Sequence, residues 1–266
     1  MLYFVSTPIG NLKDITLRAL ETLKNADVIA CEDTRHSLRL LNAYDIKKPL
    51  VSYHKFNERE SGEKIISLLK EGKEVAVISD AGTPIVSDPG NVLCKMLIEE
   101  GISYTVIPGA NALLPALILS GLDASRFTFV GFLPEKKKDR ENILQKAAAS
   151  ECTMIFYCAP HDLKKTLSVL FENLGKRKAV AVREITKIYE ERIEFALGDE
   201  ISLPDKGEYV ICVEGKAVQN DLVNLSPKEH IKAYIDGGMS KNEAIKQAAK
   251  DRGVSKSEMY KYTLND

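Results

Sequence analysis

Five short apolar, β-rich runs, Leu2–Ser6, Val28–Cys31, Leu50–Tyr53, Val75–Ile78 and Tyr104–Ile107, alternate with stretches of helical period. Those stretches read "LRALETLKN", "SLRLLNAY", "EKIISLLKEG", "VLCKMLIEEG" and "ALLPALILSG". Strands joined by helical crossovers specify a mostly parallel α/β sheet. Right-handed crossovers then bring the carboxyl ends of all five strands to one edge. The last three helices each close on a glycine (Gly72, Gly101, Gly121), which suits a left-handed C-terminal residue.

From Phe127 the pattern changes. "FTFVGFL", "EKKKDRENILQKAAAS", "TMIFYCA" and "HDLKKTLSVLFENLG" read as strand, helix, strand, helix. "AVAVREI", "RIEFAL" and "EYVICVEG" follow as strands with only short breaks, so this sheet is mixed and partly antiparallel. The expected architecture is two α/β domains with a cleft between them, residues 1–121 and 122–224, divided near "GLDAS". A helical tail, 225–266, follows: three short helices joined by "GGMS" and "RGVS", a helix-turn-helix-like pattern.

With 266 residues, 44% of them hydrophobic, the chain can bury a sizeable core. A net charge of −1 gives no global attraction to polyanions, so any nucleic-acid contact needs a local patch. The five cysteines form no CxxC pair, which fits a reduced, cytoplasmic chain without disulfides or structural zinc. The start "MLYFVSTPIG" lacks a basic leader, and no apolar run is long enough for a membrane span.

Ligands of open α/β sheets sit beyond the carboxyl ends of the strands. The loops there read "STPIGN", "CEDTRH", "SYHKFNE", "SDAGTP" and "IPGANA". Gly82 and Gly109 allow close backbone approach, Pro8, Pro84 and Pro108 stiffen the turns, and "PGANA" opens a helix whose free N–H groups would face a ligand. In "SDPG", Asp88 is expected to cap the helix starting near Asn91. GxGxxG, GxxxxGK[ST], HExxH and GxSxG are all missing, so neither metal catalysis nor an activated serine is expected. The run "KKKDR" (136–140) reads either as a solvated face or as an RNA-contacting rim.

The blocks "STPIGNLKDITLRALETLKNADVIACEDTR", "SYHKFNE", "SDAGTPIVSDPG", "PGANALLPAL", "FVGFLP" and "REITKIYEE" resemble the ribosomal RNA small subunit methyltransferase I (RsmI) family of the tetrapyrrole methylase superfamily. The likeness covers nearly the whole chain, including "GMSKNEAIKQAAKDRGVSKSEMYK". It implies S-adenosyl-L-methionine in a cleft between two α/β domains, a homodimer, and 2′-O-methylation of a cytidine in the decoding region of 16S rRNA. The implied cofactor contacts are Pro8, Asp80, Gly82, Thr83, Asn111 and Ala112, with Tyr157, Cys158, Ile185 and Tyr209 closing over the ligand. "YCAPHD" departs from the family's "YESPHR", placing Cys158 and Asp162 where a Glu and an Arg are usual.

Methyl transfer to a ribose hydroxyl needs in-line alignment and removal of a proton. The candidates are Glu32, Asp33, Arg35, His54, Glu58 and Lys187, with Lys187 and His54 as possible bases. Arg35 and Arg39 suit RNA phosphates better. Two other functions stay open: a methylase of a small tetrapyrrole on the same fold, and a non-catalytic ribosome assembly factor.

Overall fold

The computed structural model describes residues 1–217 and 221–263. The chain forms two compact units, Met1–Lys216 and Ala217–Asp266. The first carries two five-stranded sheets.

In the first sheet β1 (Leu2–Val5), β2 (Val28–Cys31), β3 (Leu50–Ser52), β4 (Val75–Ile78) and β5 (Tyr104–Ile107) are all parallel, in the order β3-β2-β4-β1-β5. The crossovers are α1 (Leu17–Asn25), α2 (Thr34–Ala43), α3 (Glu58–Lys70) and α4 (Asn91–Glu99). The strands are apolar on both sides because both faces are covered. Leu2, Phe4, Val75 and Val77 pack against Ile65, Leu69, Leu93 and Leu97 of α3 and α4. Val5, Ile29, Ala76 and Ile78 pack against Ala19, Leu23 and Leu41 of α1 and α2.

Helix α2 starts three residues earlier than the pattern predicts. Asp33 accepts from the Arg35 and His36 amides at 2.8 and 3.3 Å, capping the helix at Thr34. Arg35 and His36 therefore lie in a first helical turn rather than in a loop.

Helix α5 (Leu113–Ser120) leaves the first sheet and packs on the second. There β6 (Phe127–Phe132), β7 (Thr153–Cys158), β8 (Lys178–Arg183), β9 (Glu191–Ala196) and β10 (Tyr209–Val213) run in the order β6-β7-β10-β8-β9. Only β6 and β7 pair in parallel. One face, with Ile155, Val180, Val182 and Val210, meets Ala116 and Leu117 of α5. The other, with Phe156, Ala181 and Ile211, meets α6 (Lys137–Ala148) and α7 (Leu163–Leu174). Residue 121 falls between α5 and β6, between the sheets but inside one compact unit.

The second unit holds α8 (Pro227–Asp236), α9 (Lys241–Arg252) and α10 (Lys256–Tyr260), the three short helices the pattern predicts. Ser226 with Glu229 and Ser240 with Glu243 form reciprocal capping boxes. Ile231, Ala244, Ile245, Ala248 and Met259 make its core. The last three residues of the expected tail lie outside the described residues. Among the described residues no helix is long and apolar enough to cross a membrane.

Candidate active site

Three strand-end loops of the first sheet are tied together. Thr7 and Gly82 exchange backbone hydrogen bonds of 2.9 and 3.1 Å. The Thr83 hydroxyl lies 3.0 Å from that of Ser6 and donates to Ala110 O at 3.3 Å. A Cβ on Gly109 would stand 2.9 Å from Ser6 Cβ, and one on Gly82 would meet Ile9 at 3.3 Å. Gly82 also has φ +83, where a side chain is strained. These contacts bring Pro8, Gly82, Thr83, Asn111 and Ala112 into one cluster. Asn111 Oδ1 accepts from Leu114 N at 3.0 Å, so one of the helix-start amides expected to face a ligand is already capped.

The second sheet closes over this cluster with alternate residues only. Tyr157 and Ile185 join Ile9, Ala112 and Leu113 in one apolar group. Burial pushes the Tyr157 phenol up to about 12, against the opposing effect of the Leu113 and Ala112 amides that it faces. Cys158 and Tyr209 do not reach this group. They pair across β7 and β10, and both point to the opposite face, into the core under α6 and α7. The Tyr209 hydroxyl donates to Pro204 O at 2.7 Å. Along a strand successive side chains alternate between faces, so Cys158 and Tyr209 lie on the face away from Tyr157 and Val210. Val210 and Ile9, which sequence reasoning did not single out, belong to the same apolar group. The alternation in "EYVICV" was the available signal for Val210.

A cavity of about 550 Å³ lies between the loops of the two halves, with Ile9, Gly109, Asn111, Ile185, Thr186 and Glu190 among its walls. The loop after β8 is bound to the first half. Asn11 Nδ2 donates to Thr186 O at 3.4 Å, and the Thr186 hydroxyl donates to Asp14. Glu184 and Thr186 have φ of 50° and 68°. The Lys187 stem passes over Gly10, where a Cβ would fall 2.4 Å from Cε. Its ammonium donates to Glu184 at 2.9 Å and Glu208 at 2.8 Å. Burial favours the neutral amine, but the Glu208 and Glu184 carboxylates outweigh it and hold Lys187 above the ordinary lysine value. These two carboxylates favour the charged form of Lys187.

The other candidates gather at the ends of β2, β3 and β4. Asp33 N donates to Asp80 Oδ1 at 3.2 Å, linking two loops. Burial, then the Asp80 charge, pushes Glu32 up, partly offset by His54. Burial, with Glu32 and Asp80, pushes Asp88 up to about 6. Asp88 does not cap α4: Gly90 occupies that position, without a side-chain cap. The backbone before it is irregular: Ile85 and Ser87 take φ of 75° and 71°, and Asp88 falls two residues ahead of the cap position. His54 Nδ1 is buried without a hydrogen-bond partner. Asp33 is a helix cap held below the usual carboxylate range by the Arg35 and His36 amides. Glu58 opens α3, and Arg35 is 90% exposed. In "KKKDR", Arg140 folds back onto Pro134 O and Glu135 O, while Lys137 pairs with Glu141.

Residues 1–201 match the family described as tetrapyrrole (corrin/porphyrin) methylases. The chain is 47% identical to ribosomal RNA small subunit methyltransferase I of Halalkalibacterium halodurans, covering 97% of this chain and 93% of the relative. This chain belongs to the tetrapyrrole methylase family, in its rRNA small subunit methyltransferase I branch. The protein of the same name from Bacillus subtilis is 46% identical over 98% of this chain and 92% of its own. A crystal structure of diphthine synthase superposes with a TM-score of 0.62 at 16% identity, over 81% of this chain and 90% of that one, which is a likeness of fold. The tied loops of the first sheet and the alternate residues of the second lie against each other within one compact unit.

Proposed function

We propose that this chain transfers a methyl group from S-adenosyl-L-methionine to 16S rRNA of the small ribosomal subunit, at the ribose 2′-oxygen of a decoding-region cytidine. One observation carries the reading: 47% identity over nearly the full length to a ribosomal RNA small subunit methyltransferase I. It acts in the cytoplasm, where that subunit is, as a homodimer. Val106 on the open edge of β5 and Ile118 on α5, 45% and 75% exposed, support a self-association face.

The residues present fit the cofactor. The cavity admits a nucleoside-sized ligand, Ile9 and Ile185 offer apolar walls, and Gly109 lets backbone approach. When bound, S-adenosylmethionine supplies an electrophilic methyl on a cationic sulfur. Asp80, Glu32 and Asp88 gather carboxylates at the neighbouring strand ends, where a cationic ligand would be favoured; burial first, then their mutual charge, raises Glu32 and Asp88. Pro8, Gly82, Thr83, Asn111 and Ala112 hold and orient, and Tyr157 and Ile185 exclude water.

The proton of the ribose hydroxyl goes to the Glu32–His54 pair. Glu32 is made more basic by burial and then by Asp80, and His54 Nδ1 has no hydrogen-bond partner. Lys187, held by Glu184 and Glu208, fixes the 184–190 loop against Gly10 and lends positive charge. Primer extension at low nucleotide concentration on rRNA from a deletion strain tests the reading. A 2′-O-methyl stop in the decoding region should vanish, and its persistence would contradict the assignment.

A further inference from the structure

Phe56, on the β3–α3 turn, is 94% exposed. Its turn is not slack. Asn57 Oδ1 accepts from His54 N at 2.7 Å, Asn57 Nδ2 donates to Ser52 O at 3.4 Å, and Asn57 N donates to His54 O at 2.9 Å. The His54 and Phe56 rings stand 6.2 Å apart, edge to face. A braced turn thus holds a whole aromatic ring in water.

Single exposed apolar side chains are common on protein surfaces, and it is the surroundings that distinguish this one. Tyr53 N donates to Cys31 O at 2.8 Å, which places the turn beside the end of β2 and the start of α2. Arg35 and Arg39 are exposed and lie one turn apart on α2. Lys55, also exposed, precedes Phe56. Arg35, Arg39 and Lys55 thus put three exposed cations beside an aromatic face at the outer edge of an otherwise acidic rim, with Asp33 3.7 Å from Arg35. Unpaired nucleic acid is recognised by that combination: a base stacks on the ring while cations hold its phosphates. The half-buried His54 and Glu32, assigned above to the reacting hydroxyl, adjoin the same turn.

We propose that Phe56 is a stacking platform for an unpaired RNA base next to the target nucleotide, with Arg35, Arg39 and Lys55 on the neighbouring phosphates. The proposal rests on the rRNA reading of this sheet edge and adds the residue that holds the strand open there.

The test is fluorescence titration of the full chain with a short unpaired RNA carrying 2-aminopurine. Stacking should quench the probe. Phe56→Ala should weaken binding roughly tenfold and remove the quenching. Phe56→Trp should keep both, and Phe56→Leu should behave like the alanine variant. Arg35→Ala combined with Arg39→Ala should retain quenching but flatten the salt dependence by about 0.7 per lost phosphate contact. Calorimetric cofactor affinity should be unchanged in the Phe56 variants, which separates a local effect from unfolding. Leucine binding as tightly as phenylalanine, as a protein-docking face would allow, overturns the proposal, as does a wild type that binds without quenching. If wild type methylates small subunits yet Phe56→Ala binds RNA normally, the platform alone fails. If stacking is seen and no rRNA is methylated, the methyl-transfer reading fails instead.

Discussion

In the C-terminal helices Ser226 and Ser240 each cap the third helical amide and receive a glutamate in return, and Gly253 closes α9 with φ 65°. At the carboxyl edge of the first sheet Ile85 and Ser87 hold φ of 75° and 71°, α4 starts without a side-chain cap, and Glu32, Asp80 and Asp88 share one neighbourhood. Helix rules are kept in one region and backbone rules broken in the other. Local conflicts persist only where the surroundings over-determine them, and such places are where ligands bind. The comparison teaches that the tail is built to be stable in itself, whereas the rim gives up stability to hold charge and loops in a fixed arrangement.

The largest expected effect separates chemistry from scaffold at the rim. Glu32→Gln and His54→Asn should each lower turnover by roughly 10²-fold or more with cofactor affinity little changed, read by single-turnover kinetics and calorimetry. Lys187→Arg should keep activity within about threefold, because a cation is preserved, whereas a true base there would lose it. Next, Gly82→Val should weaken cofactor binding by about 100-fold, since a branched side chain at φ +83 pushes Ile9 and the first loop aside. Gly253→Ala in the tail should cost only about 1 kcal/mol and leave the cofactor untouched.

Titration sharpens the contrast. Asp88 has a folded value raised above its unfolded one, so its favourable contribution is complete below about pH 4 and is lost as pH rises through about 6. Asp88→Asn should therefore stabilise the protein by about 1 kcal/mol at pH 7 and hardly at pH 4, in denaturant melts. His230 in the tail runs the other way. It is fully buried, and burial, then Arg252, lowers its value against the pull of Asp251. Its contribution is present above the ordinary histidine range and lost as pH falls through it, so hydrogen-exchange protection of α8 and α9 should drop in acid while the rim does not loosen. The smallest effects should have opposite signs: Ser87→Gly stabilising and Ser240→Ala destabilising, each by about 1 kcal/mol.

Much of this was legible in the residues. Short apolar runs between helical repeats pointed to the parallel sheet, and glycine and proline marked the loops at its carboxyl edge. Chain-distant pairings were not legible. Nothing in "REITKIYEE" says that Glu208 will clamp Lys187, or that Thr186 will reach Asp14. Asp88 misled because a polar residue before a helix usually caps it; here Gly90 takes the cap position, after positive φ at Ile85 and Ser87 that no propensity favours. Strand alternation was legible too: Cys158 and Tyr209 pack on one face of the second sheet, Tyr157 and Val210 on the other.

The central claim is that the strained, acidic rim of the first sheet serves methyl transfer to rRNA. The direct measurement is to incubate the protein with purified small ribosomal subunits and methyl-labelled S-adenosylmethionine, then digest the rRNA to nucleosides and identify the labelled one by mass spectrometry. The account predicts label in 2′-O-methylcytidine with wild type and its loss with Glu32→Gln. Label on a base, on another nucleoside, or on no rRNA at all would contradict it.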